Sequence, residues 1–315
     1  MKPRVVVVGS YVQDLCWKCP AFPRTGETMV GVFASGPGGK GSNQAVAAGR
    51  LGVPTLFVGA VGNDAFAREA RAFHRAEGIA ARLAVKRRHS TATAGILVDA
   101  EGRNQIIISP AANLALARSD VPIAAVRGAR VVVTQLESNL ATTAWVLREA
   151  RRAGVTTILN TAPLRADFRP AMLRHVDIVV PNEIEFAALV NRVPATGVRD
   201  FTEVRLASMS YTDLHALCRL LGVPAVILTL GDKGCFISTG DGFTHLPAHK
   251  VRAVDTTGAG DAFVGGLAAG LARGASITDA ARTGNAVAAL SVTRPGTASS
   301  MPTARALAAF LRKAR

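Results

Sequence analysis

Cysteine, aromatic and acidic residues are all scarce in this chain, and each scarcity removes a class of protein. Four cysteines among 315 residues cannot build a disulfide framework. Cys16 and Cys19 form a C-x-x-C pair, but Cys218 and Cys235 do not form a second one, so a tetrahedral zinc site lacks its other ligands. Aromatic residues make up 5%, which offers few platforms on which nucleic-acid bases could stack. Basic residues outnumber acidic ones 37 to 22, a formal charge of +15 that can signal a nucleic-acid or anionic-membrane partner. Here the basic residues are dispersed, with Lys86-Arg87-Arg88 and Arg151-Arg152 the longest clusters. The excess reads as a solvated arginine-rich surface that mildly attracts anionic substrates, and no nucleic-acid partner is expected. No apolar run approaches the roughly 20 residues that cross a bilayer, so no membrane partner is expected. The basic Met1 to Arg4 leads into too short an apolar stretch for a signal peptide, which points to the cytoplasm.

What the chain does have is Ala, Val and Leu interleaved with Gly, in a composition that is 49% hydrophobic. Apolar runs of strand length alternate with helical patterns at Val5 to Val8, Thr55 to Val58, Val131 to Thr134, Val155 to Asn160, Val176 to Val180 and Ala225 to Leu230. This alternation predicts an α/β fold, a doubly wound and mostly parallel sheet flanked by helices, in one large domain over residues 1–315. Asn139 to Ala153 reads as a helix opened by Ser138 and closed by Gly154, and the last third reads as helical. Glu27 to Ala34, and the pair Thr93 to Val98 and Gln105 to Ser109 joined by Asp99-Ala100-Glu101-Gly102, break the alternation. They read as strands of a small β lid, drawn from about 11–35 and 93–109, over the carboxyl edge of the large sheet where ligands bind in such folds. Residues 191–210 lack periodicity and read as an irregular surface loop.

Two glycine-rich segments carry the chemistry. In Asp255-Thr256-Thr257-Gly258-Ala259-Gly260-Asp261 the glycines allow a tight turn with exposed N–H groups, and the helix starting near Gly260 adds its positive end. The result is an anion hole with a carboxylate beside it, which suits phosphoryl transfer to a hydroxyl. Taken alone, the segment fits equally a helix whose first turn carries an ordinary Asp261. Gly36-Pro37-Gly38-Gly39-Lys40-Gly41-Ser42-Asn43 satisfies G-x-G-x-x-G but does not follow the first strand, and Gly41 stands where a Walker A loop needs Ser or Thr. It reads as a loop that a ligand can approach closely, with Lys40 and Asn43 turned toward it, or as a plain strand-to-helix turn.

Taken together, Gly38-Gly39-Lys40-Gly41-Ser42-Asn43-Gln44-Ala45 and the Asp255 to Asp261 segment resemble, in order and separation, the two signatures of the ribokinase-like (PfkB) carbohydrate kinases. Gln135-Leu136-Glu137-Ser138, Pro181-Asn182-Glu183-Ile184-Glu185 and Thr229-Leu230-Gly231-Asp232-Lys233-Gly234 extend the resemblance over almost the whole chain, nearest to the family's ribose-phosphorylating members. The resemblance implies transfer of the γ-phosphoryl group of MgATP to a primary sugar hydroxyl. Asp261 would be the base, and Gly258, Ala259 and Gly260 would supply the anion hole, Gly260 also meeting the nucleotide. It implies a sugar site of Asp14, Gly39, Lys40, Asn43 and Glu137 under lid residues Ala94, Ile96 and Ile108. It assigns magnesium and phosphate to Asn182 and Glu185, ATP to Thr229, Gly231, Asp232, Lys233 and Gly234, and the adenine flank to Asn285. A potassium ion would be held by Asp255, Thr257, Ser291, Arg294, Gly296 and Ser300, mainly through backbone and hydroxyl oxygens, and a homodimer would form through the lid.

One departure concerns the acceptor. The family's ribose kinases have asparagine two residues before the sugar-gripping aspartate, whereas Val12 stands there in Gly9-Ser10-Tyr11-Val12-Gln13-Asp14. Tyr11 and Val12 would make that corner more apolar. Ribose is the acceptor the resemblance implies, with a deoxy or keto sugar such as 2-keto-3-deoxygluconate, fructose or a nucleoside as alternatives. A non-catalytic sugar-binding regulator on the same fold is the reading from another class, and an intact anion hole with its base speaks against it.

Overall fold

The computed structural model describes residues 2–313. In chain order its strands are β1 (Val5–Val8), β2 (Val12–Lys18), β3 (Val32–Gly38), β4 (Thr55–Val61), β5 (Ala80–Val85), β6 (Thr93–Val98), β7 (Asn104–Ser109), β8 (Val131–Thr134), β9 (Thr156–Asn160), β10 (Ile178–Val180), β11 (Ala225–Thr229), β12 (Cys235–Thr239) and β13 (Gly242–Leu246). The helices are α1 (Lys40–Arg50), α2 (Ala65–Ala76), α3 (Ile123–Arg127), α4 (Leu140–Arg152), α5 (Glu183–Arg192), α6 (Glu203–Ala207), α7 (Tyr211–Arg219), α8 (Ala259–Ala272), α9 (Ile277–Ser291) and α10 (Ala304–Lys313).

Nine strands form one sheet in the order β13-β12-β11-β10-β9-β8-β1-β4-β5. It is parallel from β11 to β5, with β12 and β13 added antiparallel at one edge. The run Val5–Val8 shows why the strands read as unbroken apolar stretches. Val5 and Val7 pack into a core with α1, α2, α8 and α9, whereas Val6 and Val8 join a second core with α4 on the opposite face. A strand covered on both faces has no position at which a polar side chain could reach water.

The lid is a separate four-stranded sheet, β3-β2-β6-β7. β2 pairs antiparallel with β3 and parallel with β6, and β6 closes a hairpin with β7. Register sets Asp14 of β2 opposite Gly36 on one side and Ala94 on the other, with Ala94 opposite Ile108.

Four local expectations need correction. The strand placed at Glu27 to Ala34 lies later, at Val32–Gly38, where pairing with β2 decides its limits. α4 is capped by Asn139, whose carboxamide accepts the Thr142 N–H at 3.0 Å, while the Ser138 hydroxyl has no partner among the described residues. Residues 191–210 are ordered, holding a helical turn at Pro194–Thr196 and α6. The Asn191 carboxamide brackets the Phe201 backbone with two bonds of 2.8 Å, and Phe201 and Leu206 are buried against the core. The last third is not wholly helical, because β11, β12 and β13 stand between α7 and α8.

α8 is built for close approach. A Cβ on Gly265 would fall 2.4 Å from the Ala47 Cβ and 2.7 Å from the Gln44 carbonyl oxygen of α1, and one on Gly270 would fall 2.8 Å from the Ala280 Cα of α9. Small residues therefore let three helix backbones touch. Gly265→Ala is expected to cost about 1–3 kcal/mol by overpacking, read as a lower urea midpoint; an unchanged midpoint would show that the seam can widen freely.

Candidate active site

The seam between α1 and α8 brings the two glycine-rich segments together. Gly258 caps α8 with φ +79°, the left-handed conformation that glycine adopts without penalty. The chain thus enters the helix with Asp261 in its first turn, facing α1. The Ala259 N–H is spent on the Thr256 carbonyl at 3.2 Å and that of Ala262 on Gly258 at 2.9 Å, while the amides of Gly258, Gly260 and Asp261 have no backbone acceptor among the described residues. Free amides at a helix start are a binding place for anions.

Asp261 is only 6% exposed. Its Oδ2 accepts from Asn43 Nδ2 and its Oδ1 from Gln44 Nε2, both at 2.9 Å. Gln44 also donates to Asn160 Oδ1 at 3.1 Å and accepts from Gln135 Nε2 at 2.6 Å. A buried carboxylate needs such donors, since its charge would otherwise be stranded away from water.

The acceptor-site candidates include several carboxylates, of which Glu137, Glu185 and Asp261 act on the Lys40 ammonium. Asp14 lies beneath Gly38, where a Cβ would meet its Oδ2 at 2.3 Å, so a side chain there would displace the carboxylate. Burial, then the negative charges of Glu137 and Asp261, push Asp14 up to about 7. Glu137 accepts from the Ser10 hydroxyl at 2.6 Å and the Lys40 backbone N–H at 3.3 Å; burial raises it above the usual carboxylate range, against the pull of Lys40 and Ser10. Burial weakens the hold of Lys40 on its proton, but Asp261, Glu137 and Glu185 outweigh this and its pKa rises. Glu185 and Asn182 form a reciprocal cap on α5, with Thr161 also donating to Glu185 at 3.2 Å. Burial raises Glu185 too, against the hydrogen bonds from Asn182 and Thr161 and the charge of Lys40.

The nucleotide candidates form a second group around the ends of β11 and β13. The Thr229 hydroxyl donates to the Pro181 carbonyl at 3.2 Å, next to Asn182. The Gly231–Lys233 turn follows, with Asp232 and Lys233 exposed and the Lys233 carbonyl held by His245 at 2.9 Å. Gly234 packs under the chain leaving β13, and Asn285 of α9 donates to the Leu246 and Pro247 carbonyls at 3.4 and 3.3 Å. The potassium candidates meet in a third group. Asp255 accepts from the backbone of Thr257 at 2.9 Å and Gly296 at 2.8 Å, and Val254 donates to the Val292 carbonyl at 2.7 Å, which ties the anion-hole segment to the turn after α9. Ser291 and Ser300 are buried there, whereas the Arg294 side chain is exposed and points its charge elsewhere, lining a surface cavity of about 540 Å³ with Arg50 and Arg305.

The lid contributes Ala94, buried against Val12, with Ile96 packed on that pair; Ile108 is 46% exposed. Tyr11 does not shape this corner as expected. Just ahead of β2, it is packed into the main core, where its hydroxyl donates to Gln13 at 2.6 Å and its ring lies 6.0 Å from that of His74. Gln44, Gln135, Asn160 and Ser10 were not singled out from the sequence. Gln44 lies inside the first signature segment and Gln135 opens Gln135-Leu136-Glu137-Ser138, and the signal that could have marked them is a polar residue within an otherwise apolar, buried pattern.

Asp14 is therefore expected to titrate near pH 7 by carboxyl ¹³C NMR, and Glu137→Gln to lower that value by removing a negative neighbour; an inflection below about 5 would contradict the burial argument. Because folding raises this pKa from 3.8 to about 7, the folded chain holds its proton more tightly, and the Asp14 contribution to stability is lost as pH rises through that window.

Residues 2–304 match the pfkB family of carbohydrate kinases. The chain is 39% identical over 306 residues to a Mus musculus ribokinase, covering 95% of this chain and 91% of that one. It is 34% identical over 302 residues to a Salmonella typhi deoxyribokinase, covering 95% of each. The solved structure of Arabidopsis thaliana ribokinase complexed with ribose and ATP matches with a TM-score of 0.84 at 30% identity, over 99% of both chains. With both signature segments joined at one site, a matching fold and a family match that spans nearly every residue, this chain belongs to the pfkB family of carbohydrate kinases.

Proposed function

We propose that this chain transfers the γ-phosphoryl group of ATP to a primary hydroxyl of ribose. The observation that carries this reading is the place of Asp261: in the first turn of α8, beside free backbone amides and linked through Asn43 to the helix α1 that opens at Lys40. Asp14 and Glu137 accept hydrogen bonds from the sugar hydroxyls and, with Gly39, Lys40 and Asn43, turn the primary hydroxyl toward Asp261. Asp261 takes its proton as the oxygen attacks phosphorus, and the amides of Gly258, Gly260 and Asp261 stabilise the charge on the transferring group. Ala94, Ile96 and Ile108 cover the sugar and keep out water that would otherwise accept the phosphoryl group.

ATP lies along Thr229, Gly231 to Gly234 and Asn285. Asn182 and Glu185 face its phosphates and suit magnesium held through water, which would neutralise phosphate charge. The oxygen-rich junction of Asp255, Thr257, Ser291, Arg294, Gly296 and Ser300 suits a hard monovalent cation such as potassium, which would stiffen the anion-hole segment. The outer face of the lid, where Trp17 and Phe33 lie 5.0 Å apart and Ile107 is 77% exposed, is suited to pairing with a second copy. No helix among the described residues is long and apolar enough to cross a membrane; a cytoplasmic site fits a kinase that draws on ATP.

A second reading, 2-deoxyribose as the preferred acceptor, is favoured by Val12. It is buried with Ala92 and Ala94, in line with Asp14 on the same face of β2, and offers no hydrogen bond to a hydroxyl at that corner.

Asp261→Ala should lower kcat for ADP release with MgATP and ribose by about 10²–10⁴-fold; activity within tenfold of the wild type would remove Asp261 from the role of base. Val12→Asn should raise the ratio of kcat/KM for ribose over 2-deoxyribose at least about tenfold, as expected for one restored hydrogen bond. A wild type that already prefers ribose and is insensitive to Val12 would dismiss the second reading.

A further inference from the structure

The buried amides around Asp261 are chained in one direction, and the carboxylate sets that direction. An ionised carboxylate only accepts, so both amides that touch it must turn their nitrogens inward. Asn43 and Gln44 do so, each at 2.9 Å. With its nitrogen committed to Asp261 and to Asn160 Oδ1, Gln44 presents Oε1 outward and needs a donor, which is Gln135 Nε2 at 2.6 Å. Asn160 is turned consistently, with its Nδ2 on the Val180 carbonyl at 2.9 Å. The orientation has a cost, because Gln135 Oε1 is buried without a partner among the described residues, against Gly9, where a Cβ would fall 1.8 Å away. A side chain free to choose would not bury an unpaired acceptor, so the demand of Gln44 for a donor outweighs it.

We infer that Gln44 and Gln135 are positioning residues for the catalytic base: Gln135 fixes the orientation of the Gln44 amide, and Gln44 fixes the Asp261 carboxylate at the angle from which it takes the acceptor proton. Neither residue is a catalytic residue, and the inference rests on Asp261 acting as the base of the proposed reaction. Two contacts hold the carboxylate, from the successive α1 residues Asn43 and Gln44, and the second runs back through Gln135 to the strand edge after β8.

The decisive variant is Gln44→Glu, which keeps the shape and replaces an N–H donor with an oxygen. While the introduced carboxyl group and Asp261 share one proton, the new group can donate to Asp261 as the amide does. When that proton is lost, two negative oxygens face each other at hydrogen-bond distance and the base is driven from its place. The other titratable groups around this pair, Lys40 on α1, Asp14 on β2, Glu137 after β8 and Glu185 on α5, are the same in variant and wild type, so differences between the two profiles belong to the substituted position.

The test is steady-state kinetics of the whole protein with MgATP and ribose from pH 6 to 9. Q44E should acquire a descending alkaline limb in kcat that the wild type lacks, with at least about a hundredfold loss above the limb and a ribose KM within about threefold of wild type. Gln135→Met, which leaves Gln44 Oε1 without its donor, should lower kcat at least about tenfold with no added limb. A change confined to ribose KM, or a Q44E profile parallel to that of the wild type, overturns the inference. Should Q44E fail to fold, judged by circular dichroism, Gln44→Met decides, and an unchanged kcat in that variant overturns it equally. A wild type that turns over other acceptors but not ribose corrects the proposed substrate alone, and the comparison is then made on the accepted sugar; a wild type silent on every acceptor removes the proposed function and the inference with it.

Discussion

The contact between α1 and α8 is the constraint on which the rest depends. Gly265 has no side chain, and the helix backbone approaches α1 so closely that a single Cβ would overlap both Ala47 and the Gln44 carbonyl. That proximity lets a short asparagine and a glutamine reach a carboxylate 218 and 217 positions later in the chain, at 2.9 Å. A bulkier helix at this place would fold into a similar core but would move Asp261 away from both donors. The second seam, from α8 to α9 through Gly266 and Gly270, holds α8 from its other side and links the anion hole to the turn around Asp255.

The electrostatics follow from burial. Glu137, Glu185 and Asp261 act on Lys40, and Asp14 feels Glu137 and Asp261, in a site that is half-buried to buried, so Asp14, Glu137 and Glu185 hold their protons more tightly than usual and Lys40 keeps its own despite burial. One ammonium cannot balance four carboxylates in such a place. Such a cluster has the chemistry to accept hydrogen bonds from a ligand rich in hydroxyl donors. Asp255 behaves in the opposite way: burial would raise it, but backbone donors from Gly296 and Thr257 hold it low. It is committed to structure and does not compete for the substrate.

Much of this was legible in the residues. Val5–Val8 and Val131–Thr134 read as strands covered on both faces, because only a fully buried strand tolerates an unbroken apolar run. The two glycine-rich segments read as a joined pair of signatures, and the lid strands were legible in Thr93–Val98 and its hairpin partner. Several of the misreadings share one cause. Val32–Gly38 becomes a strand only because β2 pairs with it, α6 and Phe201 are ordered by burial against a core built elsewhere, and Tyr11, just ahead of β2, is packed into the main core. None of these is decided by its local sequence.

The sequence by itself determined the fold class and the family and marked Asp261 as the candidate base, because each rests on local patterns: hydrophobic period, glycine at turns, and a carboxylate in a first helical turn. Only the tertiary structure decided how that base is held. The chain Gln135, Gln44, Asp261, Asn43 joins distant segments, and the direction of every donor in it follows from distances that no local pattern specifies. Hydrogen bonds between buried side chains depend on separation to within a few tenths of an ångström, and such separations are set by how helices pack.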